Sequence, residues 1–167
     1  MRCACWGRRR PQRSPEVRIH LESADQPDVI ALIDALDAYQ KPLYPPESHH
    51  GIDIAALCRP EVLFAVVRDA RGEAIACGAV VLAGQDGELK RMYVEPAFRG
   101  RGIGHVLLGY LEQAALDRGC RCLWLETGVL QPEAIRLYES SGFEPCAAFG
   151  DYRPDPNSLF FRKELSP

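Results

Sequence analysis

The sequence predicts one mixed α/β domain, with a mostly antiparallel sheet and a single central β-α-β unit. Residues 62–95 contain three strand-like segments joined by short turns, which is typical of an antiparallel meander. A long helical pattern over residues 102–118 then leads into another strand-like segment, and a helical crossover of this kind joins parallel strands. The 167 residues are enough for one domain with a sizeable core.

The first part of the chain predicts a strand, a helix and a loop. Residues 17–21 alternate between apolar and polar side chains, as a half-buried strand does. Pro27 suits the first turn of a helix, and the apolar residues that follow it have helical spacing: Val29, Ile30, Leu32, Ile33, Leu36 and Tyr39. Three prolines within residues 41–51 oppose both helix and strand ladder, so we expect a loop there. A short helix over residues 52–58 should end before Pro60.

The meander should contain strands at residues 62–68, 73–83 and 88–95. Turn-forming residues at 69–72 and 84–87 separate these strands, and Pro96 ends the third one.

The second half alternates helices and strands. The helix over residues 102–118 is closed by Gly119, which can adopt the left-handed conformation of a helix cap. The elements expected after it are a strand at 122–127, a helix at 132–141, and closing strands at 144–149 and 158–165.

Composition excludes several classes of protein. Hydrophobic residues make up 47% of the chain and charged residues 26%, which is typical of a globular protein and not of a disordered one. No apolar run approaches the roughly 20 residues of a membrane span. The net charge is −3, and residues 1–13 contain five arginines and no acid, which leaves −8 for the remainder. We therefore expect a disordered basic arm at residues 1–15, one domain at 16–167, and neither a nucleic-acid nor a membrane partner.

The seven cysteines do not suggest disulfides or a metal site. Their number is odd, and the two Cys-x-Cys pairs lack the spacing and the second half-site of a structural zinc centre. We expect a reduced, cytoplasmic protein without a bound metal.

The most informative segment is a glycine-rich turn between a strand and a helix. Residues 99–104 are Arg-Gly-Arg-Gly-Ile-Gly, at the start of the long helix. Glycines let the backbone turn tightly and approach a ligand, and the first N–H groups of a helix attract anions. The segment lacks the Gly-Lys-Ser/Thr of a Walker loop, and the third glycine of the dinucleotide fingerprint would fall at His105. The turn is suited to phosphate or pyrophosphate, and on these residues alone a strand-to-helix turn that binds nothing stays the alternative.

Two motifs resemble those of the GCN5-related N-acetyltransferase (GNAT) family. Residues 88–104, Glu-Leu-Lys-Arg-Met-Tyr-Val-Glu-Pro-Ala-Phe-Arg-Gly-Arg-Gly-Ile-Gly, are similar to its acetyl-CoA motif. Residues 131–143, Gln-Pro-Glu-Ala-Ile-Arg-Leu-Tyr-Glu-Ser-Ser-Gly-Phe, are similar to its second motif. The resemblance covers about residues 17–165. It implies a GNAT fold with a splayed pair of parallel strands around a central acetyl-CoA-binding β-α-β unit.

The resemblance also implies roles for single residues. Tyr138 would donate a proton to the departing CoA thiolate, although its spacing also suits a packed core aromatic. Gln131 stands where the family usually has an asparagine, and its amide makes the same kinds of hydrogen bond. The residues expected to bind acetyl-CoA are Met92, Tyr93, Val94, Arg99, Gly100, Arg101, Gly102, Ile103, Gly104, Gln131 and Tyr138.

Acetylation of an amine requires removal of a proton, because an alkyl amine with a pKa near ~10.4 is mostly charged at neutral pH. Glu88 is our first candidate for the base, and Glu126 on the partner strand is the second. His49 and His50 have suitable ordinary pKa values but lie in the proline-rich loop. Each of these groups can equally be a solvated side chain, and water can serve instead. No cysteine has an evident histidine partner, which disfavours an acetyl-cysteine route.

The acceptor is expected to be a primary amine of a small molecule, bound between two loops at residues 43–50 and 149–154. The acidic body of the protein favours a cationic acceptor. The candidate substrate-binding residues in these loops are Tyr44, Glu47, His49, Asp151 and Tyr152. Two alternatives stay open: acetylation of a protein lysine or N-terminus, and a non-catalytic module that binds acyl-CoA. A homodimer is compatible with the sequence.

Overall fold

The structure, a computed structural model, describes residues 16–166. The basic arm expected at residues 1–15 lies outside these described residues, as does Pro167. The described chain forms one seven-stranded sheet in the order β1-β2-β3-β4-β5-β7-β6. The strands are β1 (Arg18–Leu21), β2 (Val62–Arg68), β3 (Ala74–Ala83), β4 (Asp86–Val94), β5 (Cys122–Gly128), β6 (Glu144–Cys146) and β7 (Ser158–Glu164). Only β4 and β5 pair in parallel, and the other neighbours are antiparallel. The predicted mixed α/β domain is confirmed.

Helices cover both faces of the sheet. They are α1 (Pro27–Gln40), α2 (Ile54–Leu57), α3 (Ile103–Asp117) and α4 (Pro132–Ser140). Successive side chains of β2 enter opposite cores because a strand alternates its side chains between two faces. Leu63 lies in the core beneath α3 and α4, whereas Phe64 lies in the core beneath α1 and α2.

The parallel pair separates before either strand ends. Pairing between β4 and β5 runs from Asp86 opposite Cys122 to Leu89 opposite Leu125 and stops there. The remaining residues of β4, from Lys90 onward, continue to pair with β3, and the rest of β5 pairs with β7. A gap therefore opens in the middle of the sheet, as the sequence resemblance implied.

A bulge in β4 lies at the start of this gap. The register between β3 and β4 shifts between Cys77 and Ala79, so that Arg91 and Met92 share one position opposite Gly78. Arg91 has a φ of +56°, the left-handed conformation that begins one type of bulge. Gly78 leaves room for the Met92 side chain, because a Cβ atom at position 78 would force the Met92 sulfur to shift.

Two local predictions were wrong. The strand expected at 144–149 ends at Cys146, because Phe149 leaves the sheet edge and packs against Trp124 at 5.3 Å between ring centroids. The proline-rich loop at 41–51 contains a 3₁₀ turn, Pro46–Ser48. Proline is tolerated at the first position of such a turn, where its missing N–H has no acceptor.

Candidate active site

The glycine-rich turn presents free backbone donors. Gly100 and Gly102 have φ values of +72° and +78°, which explains why glycine occupies both positions. The hydrogen-bond ladder of α3 begins with the Val106 N–H, which donates to the Gly102 carbonyl at 3.1 Å. The N–H groups of residues 103–105 precede it and so have no acceptor within the helix. This end of α3 is therefore suited to bind an anion.

The two arginines of the turn fold back onto the protein. The Arg99 Nε donates to the Val94 carbonyl at 2.9 Å, and its guanidinium lies 5.6 Å from the centre of the Tyr93 ring. The Arg101 guanidinium lies 5.4 Å from the centre of the Phe98 ring. Both arginines are exposed, and the Arg99 guanidinium also lies 3.7 Å from a carboxylate oxygen of Glu133.

A cleft of about 630 Å³ extends from this turn between α3, α4 and the end of β4; we call it the α3–α4 cleft. Gly104 allows the two helices to approach, because a Cβ atom there would lie 3.3 Å from a Leu137 methyl group. All but Arg101 of the residues predicted to bind acetyl-CoA line this cleft: Met92, Tyr93, Val94, Arg99, Gly100, Gly102, Ile103, Gly104, Gln131 and Tyr138.

The end of β4 directs a backbone donor into the gap beside β5. The Glu95 N–H bonds to the Ile75 carbonyl of β3 at 2.9 Å. Neighbouring residues of a strand point their N–H groups to opposite sides, so the Val94 N–H points away from β3 and toward the gap. It is placed where it can meet a carbonyl oxygen in the gap.

A second cavity, the inner cavity, opens from the same gap and has a volume of about 510 Å³. Its walls include α1, the loop after α1, and the separated parts of β4 and β5. It shares five lining residues with the α3–α4 cleft: Leu36, Met92, Gln131, Ala134 and Tyr138. The Gln131 side-chain oxygen accepts a hydrogen bond from Gln40 of α1 at 3.3 Å. Tyr138 is 6% exposed and stands at the junction of the two spaces.

Glu126 is a carboxylate on the wall of the inner cavity. Its Oε1 accepts a hydrogen bond of 2.6 Å from the Ser158 hydroxyl. Burial raises the pKa of Glu126 above its ordinary value, and the hydrogen bond from Ser158 opposes that rise. Burial, assisted by the charge of Glu126, also raises the pKa of the Tyr138 hydroxyl. Tyr138 is thus a neutral proton donor at physiological pH.

Glu88 lies in a different place. It lines a third space of about 1120 Å³, the outer cavity, between the β6–β7 loop and the edges of β3 and β4. Its carboxylate accepts a hydrogen bond of 2.5 Å from the Tyr152 hydroxyl and lies 2.8 Å from the Lys90 ammonium. The first candidate base is therefore held by two partners away from Tyr138, whereas Glu126 shares a cavity with Tyr138.

The predicted substrate-binding residues fall into two groups. Tyr44 and His49 line the inner cavity. Tyr44 is a buried wall residue, and its hydroxyl accepts a hydrogen bond of 2.9 Å from the Leu130 N–H. Glu47, Asp151 and Tyr152 line the outer cavity instead. The two cavities adjoin, with five residues common to both: Ser48, His50, Gly51, Lys90 and Asn157.

A sequence model of the acetyltransferase (GNAT) family matches residues 32–143, which include the turn, the gap and α4. The chain belongs to the GNAT acetyltransferase family. The family resemblance inferred from the two motifs is confirmed.

Relatives and solved structures agree with this assignment. The chain is 44% identical over 153 residues to an IAA acetyltransferase from Azospirillum brasilense, with 90% of this chain and 99% of that protein covered. A structure from Klebsiella pneumoniae, reported as an acyl-CoA N-acyltransferase, has a TM-score of 0.77 at 39% identity, covering 90% of this chain and 98% of that one. The PaiA N-acetyltransferase of Thermoplasma acidophilum, solved in complex with coenzyme A, has a TM-score of 0.69 at 17% identity, covering 89% and 99%. The chain is thus an N-acetyltransferase with the GNAT fold.

Several polar residues of this GNAT site were missed at the sequence level. Lys90 and Arg91 face the inner cavity, and the Arg91 guanidinium bonds to Asp37 of α1 and to the Ile52 carbonyl. Ser158 is buried and reaches Glu126. Alternation along β4 and β7 indicates only which face these side chains occupy, while their partners come from distant segments.

Two further observations concern the described residues only. Within residues 16–166, no three His, Cys, Asp or Glu side chains lie close enough together to share a metal ion. In the same range, no helix combines the length and the apolar character needed to cross a bilayer.

Proposed function

We propose that this GNAT protein transfers the acetyl group of acetyl-CoA directly to a primary amine of a small molecule. One observation carries the proposal: the α3–α4 cleft, which begins at the start of α3, and the inner cavity meet at a gap in the sheet, and Tyr138 stands at their junction. A thioester and an amine that enter from opposite sides would meet beside a buried hydroxyl.

The residues of the α3–α4 cleft fit acetyl-CoA. The N–H groups at the start of α3 suit its pyrophosphate, and Arg99 and Arg101 add positive charge at the rim. The cleft is lined by apolar groups of Met92 and Leu137 farther in, which suits the pantetheine arm. Acetyl-CoA supplies the acetyl group as a thioester.

Two groups of the chain are assigned to the thioester end. The Val94 N–H, directed into the gap, would bond to the thioester oxygen and stabilise the negative charge that develops there. Tyr138 would give its proton to the sulfur as the carbon–sulfur bond breaks. Its raised pKa keeps the proton on the hydroxyl until the thiolate forms.

Placement supports Glu126 over Glu88 as the base. Glu126 faces the inner cavity and has a raised pKa, which brings a carboxylate closer to the pH at which a base works well. Glu126 would take one proton from the ammonium form of the acceptor, which frees the nitrogen lone pair to attack the thioester carbon. The nitrogen would lose its second proton to water as the carbon–sulfur bond breaks. Glu88, already engaged by Tyr152 and Lys90, is assigned to the wall of the site instead.

Direct transfer is favoured by the distribution of thiols. The described residues 16–166 contain five cysteines, and none of them lines the α3–α4 cleft, the inner cavity or the outer cavity. Cys77 is fully buried, and burial raises the pKa of its thiol to about 12. A thiol in this state is a poor nucleophile.

A small acceptor is favoured because two loops form part of the wall of the inner cavity. The loop after α1 contributes Tyr44, Ser48 and His49 to its wall, and the β6–β7 loop contributes Asn157. A volume of about 510 Å³ lies within the ordinary range for small-molecule sites.

The test is an acceptor screen with purified protein, acetyl-CoA and a thiol reagent that reports free CoA. The panel contains arylalkyl amines, aliphatic diamines, amino acids and a lysine peptide. We expect a small primary amine to be acetylated, with intersecting double-reciprocal plots, since both substrates must bind before transfer. Activity toward the peptide alone would reject a small acceptor, and parallel plots would reject direct transfer.

A further inference from the structure

A hydrogen-bond network links β4 to both loops that enclose the acceptor site. The Lys90 ammonium donates to the Tyr152 hydroxyl in the β6–β7 loop and, at 3.2 Å, to the His50 carbonyl in the loop after α1. It also pairs with Glu88 at 2.8 Å, and Glu88 in turn accepts from Tyr152 at 2.5 Å. One ammonium therefore contacts a strand residue and one residue from each loop.

The position of Lys90 in the sheet makes this contact available. Lys90 is the first residue of β4 beyond the end of its pairing with β5, so it begins the open part of the gap. Its side chain is 17% exposed, and the residue lines both the inner and the outer cavity. The ammonium therefore lies at the boundary between the two cavities.

The two loops also touch one another beside Lys90. The rings of His50 and Tyr152 meet edge to face at 4.9 Å between centroids. The Asn157 side chain donates to the Ser48 hydroxyl at 3.3 Å. Tyr152 packs further against Phe149 and Phe160, which ties its ring to the end of the sheet. The loops thus form one wall, and Lys90 is the charged group that joins it to β4.

We propose that Lys90 is a positioning residue, which holds both loops in the conformation that receives the acceptor amine. The proposal rests on the proposed function in one respect only, that the inner cavity is the acceptor site. Ordering a loop costs conformational entropy, and a network that is already formed removes that cost from acceptor binding. Loss of Lys90 then weakens acceptor binding and leaves the α3–α4 cleft unchanged.

The other groups around Lys90 are suited to this role. Glu88 supplies the countercharge of Lys90, and its Oε1 atom contacts both the Lys90 ammonium and the Tyr152 hydroxyl. Burial and the hydrogen bond to Glu88 raise the pKa of Tyr152, so its hydroxyl stays protonated and can donate. Glu126 and His50 complete the titratable groups near the network, on β5 and the first loop.

The test compares Lys90→Met, which keeps the length of the side chain, with Lys90→Arg, which keeps its charge and its donors. Lys163→Met is the matched control, since Lys163 is also half-buried and paired at 2.7 Å with a glutamate, Glu112, outside the site. Backbone amide exchange in residues 42–51 and 147–157 reports loop docking without any assay of activity. Steady-state kinetics with the amine found in the acceptor screen report its KM.

We expect faster exchange in both loops of Lys90→Met, and protection close to wild type in Lys90→Arg and Lys163→Met. If the docked population falls to about a tenth, the acceptor KM rises about tenfold while the acetyl-CoA KM stays constant. Unchanged exchange in both loops overturns the proposal, whatever the activity. Faster exchange with an unchanged acceptor KM overturns the positioning role. A wild-type protein that acetylates no amine rejects the proposed function, while the exchange data still decide whether Lys90 holds the loops.

Discussion

Tyr138 is both a packed core aromatic and a cavity-lining residue. Its ring packs edge to face on Phe143 at 5.9 Å in the core beneath α3 and α4, yet the residue also lines two cavities. Burial raises the pKa of its hydroxyl. Because the residue also lines the two cavities, a thioester sulfur bound there can reach the hydroxyl.

Replacement of the Tyr138 hydroxyl separates these two properties. Tyr138→Phe keeps the packed ring, so we expect an unchanged melting temperature and an unchanged affinity for acetyl-CoA. Loss of the proton donor should lower kcat by about 10²-fold. Steady-state kinetics and calorimetry check this result, and a wild-type kcat would leave Tyr138 with only its packing role.

Ionisation of Glu126 should determine the acid limb of the pH profile of kcat/KM. Its raised pKa means that the carboxyl group loses its proton above the ordinary value of 4.5, so kcat/KM should rise with pH through that higher pKa. Glu126→Gln should lower kcat by about 10²-fold and remove this limb. Glu88→Gln is the comparison variant. If the acid limb of the pH profile disappears in Glu88→Gln but not in Glu126→Gln, Glu88 is the base.

The same pKa shift gives an independent measurement of stability. The folded protein holds the Glu126 proton more tightly than the unfolded chain does, so this group stabilises the fold below its ordinary pKa, and that contribution is lost as pH rises through the raised pKa. Glu126→Gln, which cannot ionise, should therefore melt at or above the wild-type temperature at pH 8. A marked decrease would show that lost activity reflects lost structure.

At the scale of elements, the turn before α3 combines conformation and charge. Gly102 precedes the helix at a φ of +78° and has open space around its missing Cβ. Any side chain there is strained, so a single substitution cannot separate folding from binding. Asn and Asp have nearly equal size and tolerate the left-handed region better than other residues.

We therefore compare Gly102→Asp with Gly102→Asn. Both carry the same backbone strain, and only aspartate adds a negative charge beside the N–H groups of α3. Calorimetry should give the Asp variant a CoA affinity at least about tenfold weaker than that of the Asn variant, a difference of about 1.4 kcal/mol. Equal affinities in two folded variants would contradict a pyrophosphate site at this turn.

Elements governed by local patterns could be predicted, whereas those governed by distant contacts could not. The strand Val62–Arg68 matches its prediction because continuous apolar residues end at a turn signal. The side chain of Arg91, in the bulge, bonds to Asp37 and to the Ile52 carbonyl, both about 40 residues or more away in sequence. Likewise, Lys90 was not singled out because Tyr152 is 62 residues away. The glycine-rich turn could be identified from the sequence because its glycines and the start of the helix are adjacent in the chain.

At the scale of the whole molecule, charge affects how an acceptor approaches. The chain has a net charge of −3, and the two predicted acceptor carboxylates, Glu47 and Asp151, are exposed on the outer cavity. Because they line the outer cavity and not the inner one, we expect them to act on an amine in the inner cavity by attraction over a distance. Such attraction is screened by salt, with a Debye length of about 10 Å at 0.1 M.

The double variant Glu47→Gln and Asp151→Asn should raise the KM for a cationic amine modestly, by about twofold to fivefold at low salt. The KM for acetyl-CoA should not rise, because the α3–α4 cleft lies on the other side of the gap. A control double variant, Glu61→Gln and Glu144→Gln, removes the same charge at exposed positions outside the cavities and should have little effect. Added salt should remove the difference between the two double variants, since screening acts on a distant charge far more than on a contact. A KM increase that persists at 0.5 M salt would instead indicate that these carboxylates touch the acceptor, and that it extends into the outer cavity.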